Sequence, residues 1–167
     1  MKNQNYFTHI IHSGETRPSK FFFKPFLSCK KISYDVIFSE SSIYCKTVSP
    51  GINRLFGLSY GLLDNVISTF KWRPDGHKME IFASVSDRGK QTTYLLTQLN
   101  LNTSYKLTMT KHSDFFSYSI FDADGFLMSY YKIGMPATVV NYGREMFLEF
   151  LSSKGAPFDL SIEMKKN

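Results

Sequence analysis

Short stretches in which apolar and polar residues alternate constrain the fold of this chain more than any other feature. The clearest are residues 32–39, 66–73, 78–85, 105–110 and 160–165. A period of two sends successive side chains to opposite faces of a strand, so each stretch predicts a strand with one buried face. The sixteen Phe and ten Tyr residues suit a pleated surface, and no stretch shows a sustained helical period. The patterns therefore predict an all-β chain with little helix.

Residues that favour turns separate the predicted strands. They read Pro-Asp-Gly at 74–76, Asp-Arg-Gly at 87–89 and Asp-Ala-Asp-Gly at 122–125, with further breaks at 49–51 and 100–102. Proline presets φ, aspartate bonds its own backbone and glycine accepts positive φ, as hairpin turns require. Strands at this spacing predict an antiparallel β-sandwich, jelly-roll-like or concanavalin-like, with about ten strands. The choice between these topologies stays open.

The first 31 residues carry most of the net charge. Six basic residues against Glu15 alone give this segment +5 of the formal +6 of the chain. Residues 1–19 show no strand period, so we predict an extended basic N-terminal arm that precedes a single sandwich domain at 20–167. The candidate assembly residues of this arm are Tyr6, Phe7, Arg17 and Lys20.

The basic and aromatic residues of this segment allow three interpretations. Residues 20–28 are favoured as the first strand of the domain. Residues 1–19 are expected to dock on a neighbouring subunit by adding a strand to an exposed edge, so other protein subunits, either copies of this chain or virion components, are expected partners. Basic residues among aromatics also bind single-stranded nucleic acid, but the missing RNP and OB signatures argue against that partner.

The chain shows no sign of membrane insertion or secretion. It lacks the roughly 20 consecutive apolar residues of a membrane helix, and residues 1–9 lack the apolar segment of a signal peptide. We therefore expect a cytoplasmic protein, or a virion component if a phage encodes it, with no membrane partner. Cys29 and Cys45 are too few for a disulfide scaffold, and whether they pair stays open.

The histidines do not have the spacing of a metal site. His9 and His12 share a face only in a helix, and no third ligand accompanies them, whereas zinc sites use three or four. Residues 122–125 begin like a calcium loop but lack its ligand spacing, so a hairpin turn is favoured. We expect no metal and no cofactor.

Residues 57–61 read Gly-Leu-Ser-Tyr-Gly and match the pattern of a hydrolase nucleophile elbow. That elbow is a strand-to-helix turn, whereas residues 62–72 lead into a strand, so a glycine-flanked strand end or bulge is favoured. The sequence also gives little support for a pair of carboxylates that hydrolyses glycans, because Glu145 and Glu149 are too widely separated on an extended strand. We expect a protein that is not an enzyme. A hydrolase that uses Ser59 is the least favoured alternative.

Aromatic residues beside polar groups are the remaining candidates for a site, since such sets hold sugars and peptides. One set is Tyr60, Asn65 and Arg73, near Asp64 and Trp72, and the other is Tyr130, Tyr131, Asn141, Tyr142 and Arg144. Trp72 alternates in phase with Phe70, so we expect it to face the core. The second set includes an irregular stretch at 135–142 that predicts a loop, and it is the favoured binding surface.

Three motifs lie close together: Leu-Phe-Gly-Leu-Ser-Tyr-Gly at 55–61, Phe-Lys-Trp-Arg-Pro at 70–74 and Lys-Met-Glu-Ile-Phe-Ala at 78–83. Over roughly residues 50–163, the chain resembles a group of short uncharacterised proteins of Bacteroidetes bacteria and their phages. Members of that group typically have Gly at the position of Lys71. They often carry a His pair near Leu62-Leu63, which this chain lacks. The resemblance implies a compact β domain in a phage setting and implies no activity.

The sequence thus supports three classes of function. The first is a non-catalytic binding or interaction module that assembles through its N-terminal arm, as a phage virion or accessory protein. The second is a glycan-binding, lectin-like module, and the third is the hydrolase that uses Ser59.

Overall fold

Two antiparallel sheets of six strands each form a β-sandwich. The computed structural model describes residues 6–18, 24–44, 51–151 and 155–167. The strands are β1 (Phe7–Ile11), β2 (Lys24–Leu27), β3 (Lys31–Phe38), β4 (Asn53–Tyr60), β5 (Val66–Asp75), β6 (Lys78–Asp87), β7 (Lys90–Asn100), β8 (Tyr105–Lys111), β9 (Phe115–Phe121), β10 (Leu127–Gly134), β11 (Tyr142–Met146) and β12 (Leu160–Lys166). One 3-10 turn, Glu40–Ser42, follows β3. The prediction of an all-β antiparallel sandwich is confirmed, with twelve strands in the described residues.

Strands that are distant in sequence lie side by side in both sheets. The first sheet has the order β1-β12-β3-β8-β9-β10, and the second has the order β2-β11-β4-β5-β6-β7. The chain passes from the first sheet to the second through residues 135–141, which are irregular as predicted. This crossing places β10 and β11 in different sheets although they are close in sequence.

Strands β5, β6 and β7 are joined by two tight hairpins. Pro74 and Asp75 pair with Met79 and Lys78, so the first turn is residues 76–77 and begins later than predicted. The second turn is residues 88–89, in which φ is +46° at the first position and +85° at the second. Two positive φ values match the type I′ turn, whose twist suits a hairpin.

Aromatic side chains fill the space between the sheets. Phe56 and Phe70 of the second sheet pack with Tyr34 and Tyr118 of the first sheet, with ring centroids 4.8 to 5.2 Å apart. Such tilted and edge-on pairs each contribute roughly 0.5–1.5 kcal/mol beyond their burial. Trp72 is fully buried, as its phase with Phe70 predicted.

The N-terminal segment is part of the sandwich, which corrects the expected arm at 1–19 for residues 6–18. Strand β1 pairs with β12 at the edge of the first sheet. The Phe150 amide donates to the Thr16 carbonyl at 2.7 Å. Strand β2, inside the expected first strand at 20–28, forms an edge of the second sheet. The candidate Lys20 lies outside the described residues.

Two further predictions concern the membrane and the cysteines. Within the described ranges, no helix is long and apolar enough to cross a membrane. The Cys29 thiol is free, and Cys45 lies outside the described residues.

Candidate functional site on the outer face of the second sheet

The outer face of the second sheet carries polar side chains that point away from the core. Phe70 and Trp72 of β5 are buried in the core, so Thr69, Lys71 and Arg73 point to the opposite side. The register extends this face to neighbouring strands, because Arg54 of β4 lies opposite Lys71. We use the name outer face for Arg54, Ser59, Thr69, Lys71, Arg73, Glu80, Phe82, Ser84, Gln91, Thr93 and Arg144.

Several of these polar residues are buried although they do not point into the core. Ser59, Thr69 and Ser84 are 0 to 1% exposed, and Lys71 and Glu80 are each 7% exposed. Neighbouring side chains therefore enclose them. Buried polar groups require hydrogen-bond partners, because burial without a partner costs free energy.

A chain of hydrogen bonds supplies those partners on strands β5 to β7. The Lys71 ammonium donates to Gln91 Oε1 at 2.7 Å, and Gln91 Nε2 donates to Thr93 Oγ1 at 2.8 Å. The hydroxyls of Thr93 and Ser84 are 3.0 Å apart. Burial, and next the charge of Arg54, lower the pKa of Lys71 to about 8.

Arg73 and Glu80 form the next polar pair along the face. Arg73 Nε and Nη2 donate to Glu80 Oε2 at 2.9 and 2.7 Å. The guanidinium also lies over the Phe82 ring, 5.4 Å from its centroid, which is within the range of a cation–π contact. Both contacts hold Arg73 in one position.

Asp64 joins Ser59 of β4 to Arg144 of β11. Its carboxylate accepts hydrogen bonds from the Ser59 hydroxyl and from two guanidinium nitrogens of Arg144. Burial alone would raise the pKa of Asp64, but the Arg144 and Ser59 hydrogen bonds and the Arg144 charge lower it overall. The Gly-x-Ser-x-Gly stretch is thus the end of an antiparallel strand, as favoured, and its serine hydroxyl is bonded to Asp64.

Three arginines meet beside strands β4 and β11. Arg17 Nη2 donates to Glu149 Oε1 at 2.6 Å, and Arg54 bonds the other oxygen of the same carboxylate. These arginines and Arg144 line a pocket of about 90 Å³. We name it the arginine pocket, and its lining is Arg17, Arg54, Arg144, Glu145, Met146 and Phe147.

The arginines affect one another electrostatically. Burial lowers the pKa of Arg54, the Glu149 carboxylate raises it, and the charges of Arg17 and Arg144 lower it further. The Arg54 Nε–H is buried and has no acceptor among the described residues. The pocket therefore lies among three guanidinium groups, and one buried guanidinium donor there has no acceptor among the described residues.

The structure separates the first set of candidate site residues. Arg73 lies on the outer face, and Asn65 is exposed in the turn between β4 and β5. Tyr60 is 1% exposed and its ring packs in the core against Phe116.

The second set divides between the two sheets. Arg144 and Tyr142 lie on β11 of the second sheet, and the Asn141 side chain accepts a hydrogen bond from Lys111 at 2.8 Å. Tyr130 and Tyr131 lie on β10 of the first sheet, where the Tyr131 ring packs against Tyr94. The residues that were predicted to form one binding surface therefore lie on two separate surfaces, one on each sheet.

The assembly candidates also have separate environments. The Tyr6 hydroxyl is 2.9 Å from Ser104 Oγ, Phe7 is 68% exposed, and Arg17 lines the arginine pocket. In the described ranges, no three His, Cys, Asp or Glu side chains come together in a way that could hold a metal.

Sequence reasoning gave Lys71, Arg54 and Glu149 no binding role. The alternation around Trp72 already placed Lys71 on the opposite face. By contrast, Arg54 and Glu149 are 95 residues apart and meet through a long-range strand bridge that no local pattern indicates.

No protein-family model and no curated protein matches the sequence. Solved structures share the fold at low identity. A functionally unknown protein from Saccharomyces cerevisiae has a TM-score of 0.58 at 10% identity, over 99% of this chain and 91% of that chain. The alginate lyase from Klebsiella pneumoniae has a TM-score of 0.58 at 6% identity, over 84% of this chain and 59% of the lyase. The GH43 BlXynB protein from Bacillus licheniformis has a TM-score of 0.58 at 10% identity, over 96% of this chain and 32% of that chain. This chain thus spans less than two thirds of the last two proteins, and the similarity shows a shared β-sandwich fold.

Proposed function

We propose that the protein is a non-catalytic β-sandwich module that binds a saccharide on the outer face of the second sheet. The observation that carries the proposal is the buried, hydrogen-bonded set of polar side chains on β5, β6 and β7. An outer sheet face that only meets water has no need to bury Lys71 or Glu80, because buried charge costs free energy even when it is paired.

The chemistry of this face suits sugar hydroxyls, which both donate and accept hydrogen bonds. Gln91, which is exposed, offers an amide, and the half-buried Thr93 offers a hydroxyl. The buried Lys71 and Ser84 hydrogen-bond these two side chains from neighbouring strands. Strands and mutual hydrogen bonds fix these groups in advance, which lowers the entropy lost on binding. Tyr142, 42% exposed on β11, adds a ring on which the apolar face of a sugar can pack.

The fold is compatible with this proposal. One protein that shares it is named an alginate lyase, although a fold by itself assigns no ligand. The proposal does not include a phage or virion setting, because the names of the similar structures given above mention no virion protein.

A glycan array followed by calorimetry tests the proposal. We expect the wild-type protein to bind a defined class of glycans, and Lys71→Met or Gln91→Ala to weaken binding roughly 10-fold through lost hydrogen bonds. Tyr130→Ala, on the first sheet, is the matched control and is expected to bind like the wild type. Loss of binding in Tyr130→Ala alone, or no binding to any glycan, contradicts the proposal.

The non-catalytic part of the proposal has its own readout. After long incubation with a bound glycan, we expect chromatography to show an unchanged chain length. Shortened products that disappear with Ser59→Ala would instead support the hydrolase alternative.

A second candidate function, assembly through the N-terminal segment, is favoured by the edge position of β1. Phe7 and Ile10 on this edge strand are 68% and 39% exposed, and an exposed apolar edge can pair with another strand. Light scattering should then give an oligomer for the wild-type protein and a monomer for Phe7→Asp. A monomeric wild type would exclude self-assembly through this edge.

A further inference from the structure

The arginine pocket brings together three cations from distant parts of the chain. Arg17 comes from the segment after β1, Arg54 from β4 and Arg144 from β11. Because these segments meet only in the folded sandwich, the convergence is a property of the tertiary structure. Arg54 also lies opposite Lys71 across the β4–β5 pair, so the pocket adjoins the proposed saccharide face.

The carboxylates that the structure describes near the pocket are fewer than the cations. Glu149 is shared by Arg17 and Arg54, and Asp64 binds Arg144. Among the described residues, three guanidinium groups therefore face two carboxylates, and the neighbouring Lys71 ammonium raises the excess charge of these groups to +2. The lining Glu145 does not change this balance, because the Lys166 ammonium pairs with it.

One guanidinium donor within this cluster is unused. Arg54 Nε is buried without an acceptor among the described residues, and its side chain is 15% exposed. A buried charged donor that lacks an acceptor costs free energy, which an anionic oxygen at the pocket would recover.

The size of the pocket limits what it can hold. Its volume is about 90 Å³. A carboxylate or a sulfate group fits in a pocket of this size. The ring of a ligand on the adjoining outer face would place such a charged substituent in the pocket.

From this geometry and charge we infer that the arginine pocket binds the acidic group of the saccharide, so that the ligand class is an acidic sugar. The inference rests on the proposed saccharide-binding function and narrows it. Planar guanidinium groups bind the oxygens of carboxylates and sulfates through paired hydrogen bonds. Both acidic groups share this chemistry, and the experiment separates them.

The test compares each acidic glycan with its neutral counterpart by calorimetry at physiological salt. One pair is an oligogalacturonate and its methyl ester, and the other is a sulfated oligosaccharide and its desulfated form. We expect one acidic member to bind roughly 10- to 100-fold more tightly than its neutral counterpart, the range of a charge-assisted hydrogen-bond pair. A preference in the first pair assigns a carboxylate, and a preference in the second assigns a sulfate.

Variants decide whether the arginine pocket causes the preference. Arg54→Gln should remove most of it, so that the acidic and the neutral counterparts bind with similar affinity. Because Arg54 is buried and this variant could be unstable, Arg17→Gln, at a side chain that is 53% exposed, provides a second variant with a smaller loss in the same direction. Lys106→Gln makes the same charge change at an exposed position of the first sheet and should keep the full preference.

The outcomes separate this inference from the proposed function. Equal binding of acidic and neutral counterparts overturns the inference and leaves saccharide binding in place. A preference that persists in both arginine variants, or that is lost equally in Lys106→Gln, also overturns it. No binding by any saccharide overturns the proposed function as well.

Discussion

On the side that points away from the core, both sheets carry polar residues of similar types, but the two sheets bury different ones. On the first sheet, buried Ser33 and Thr108 hydrogen-bond each other at 2.8 Å, and the charged Lys106 is exposed. On the second sheet, the charged Lys71 and Glu80 are themselves buried.

This difference indicates where function lies. Two buried hydroxyls that hydrogen-bond each other lose little free energy on burial, whereas a buried ammonium loses its hydration. The lowered pKa of Lys71 reflects that loss. Perturbed ionisable groups concentrate at functional sites, where such a cost is tolerated. On this basis we propose that the exposed side of the first sheet is structural and that the outer face of the second sheet is a binding surface.

The largest expected difference between the sheets concerns glycines. A Cβ at Gly57 of β4 would lie 2.2 Å from the Ser68 carbonyl oxygen and 2.5 Å from the Thr69 methyl group. Gly57→Ala should therefore lower the free energy of unfolding by roughly 2–4 kcal/mol. Gly134→Ala on the first sheet meets no atom within 4 Å, and urea denaturation should show a change within about 0.5 kcal/mol. Equal effects would mean that β4 is not packed as described.

A smaller effect is expected from the buried ammonium. The pKa of Lys71 is about 8 in the folded protein, against an ordinary value of 10.5. Between these values the unfolded chain binds more protons, so wild-type stability should rise as the pH increases from about 8 to 10.5. Lys71→Met should lose this rise and be more stable at pH 7 by on the order of 1–3 kcal/mol.

Denaturation curves at several pH values measure this effect. Lys106→Met on the first sheet is the control and should keep the wild-type dependence. The account of Lys71 fails if Lys71→Met and the wild type show the same increase in stability with pH.

The smallest expected effect concerns the hydroxyl pairs. Replacing both partners, as Ser33→Ala with Thr108→Val or Ser84→Ala with Thr93→Val, should change stability by less than about 1 kcal/mol, because both partners of the hydroxyl pair are removed together. The Gln91 amide, which loses Thr93 as an acceptor in the second variant, is exposed and can bond water instead. Only the second double variant should weaken saccharide binding, by roughly 5-fold in calorimetry. Equal binding by both double variants would remove the functional distinction between the two faces.

Local patterns predicted much of the sandwich because strand alternation is local information. The period of two located β3, β5, β6, β8 and β12, and it placed Lys71 and Trp72 on opposite faces of β5. Strand β1 was missed because it is five residues long and ends with adjacent isoleucines, which break the alternation.

The arginine pocket could not be predicted in this way. Arg17, Arg54 and Arg144 meet through strand pairing between distant segments, and no local spacing carries that register. For the same reason Tyr130 and Tyr142, which are close in sequence, were assigned to one surface although they lie on different sheets.

The central claim is that a saccharide occupies the outer face of the second sheet. Its most direct test is an NMR titration with a glycan that the array identifies. The account predicts that signals of Lys71, Gln91 and Thr93 shift with ligand concentration while those of Ser33 and Thr108 stay in place. Shifts confined to the first sheet, or no saturable shift with any glycan, would contradict it.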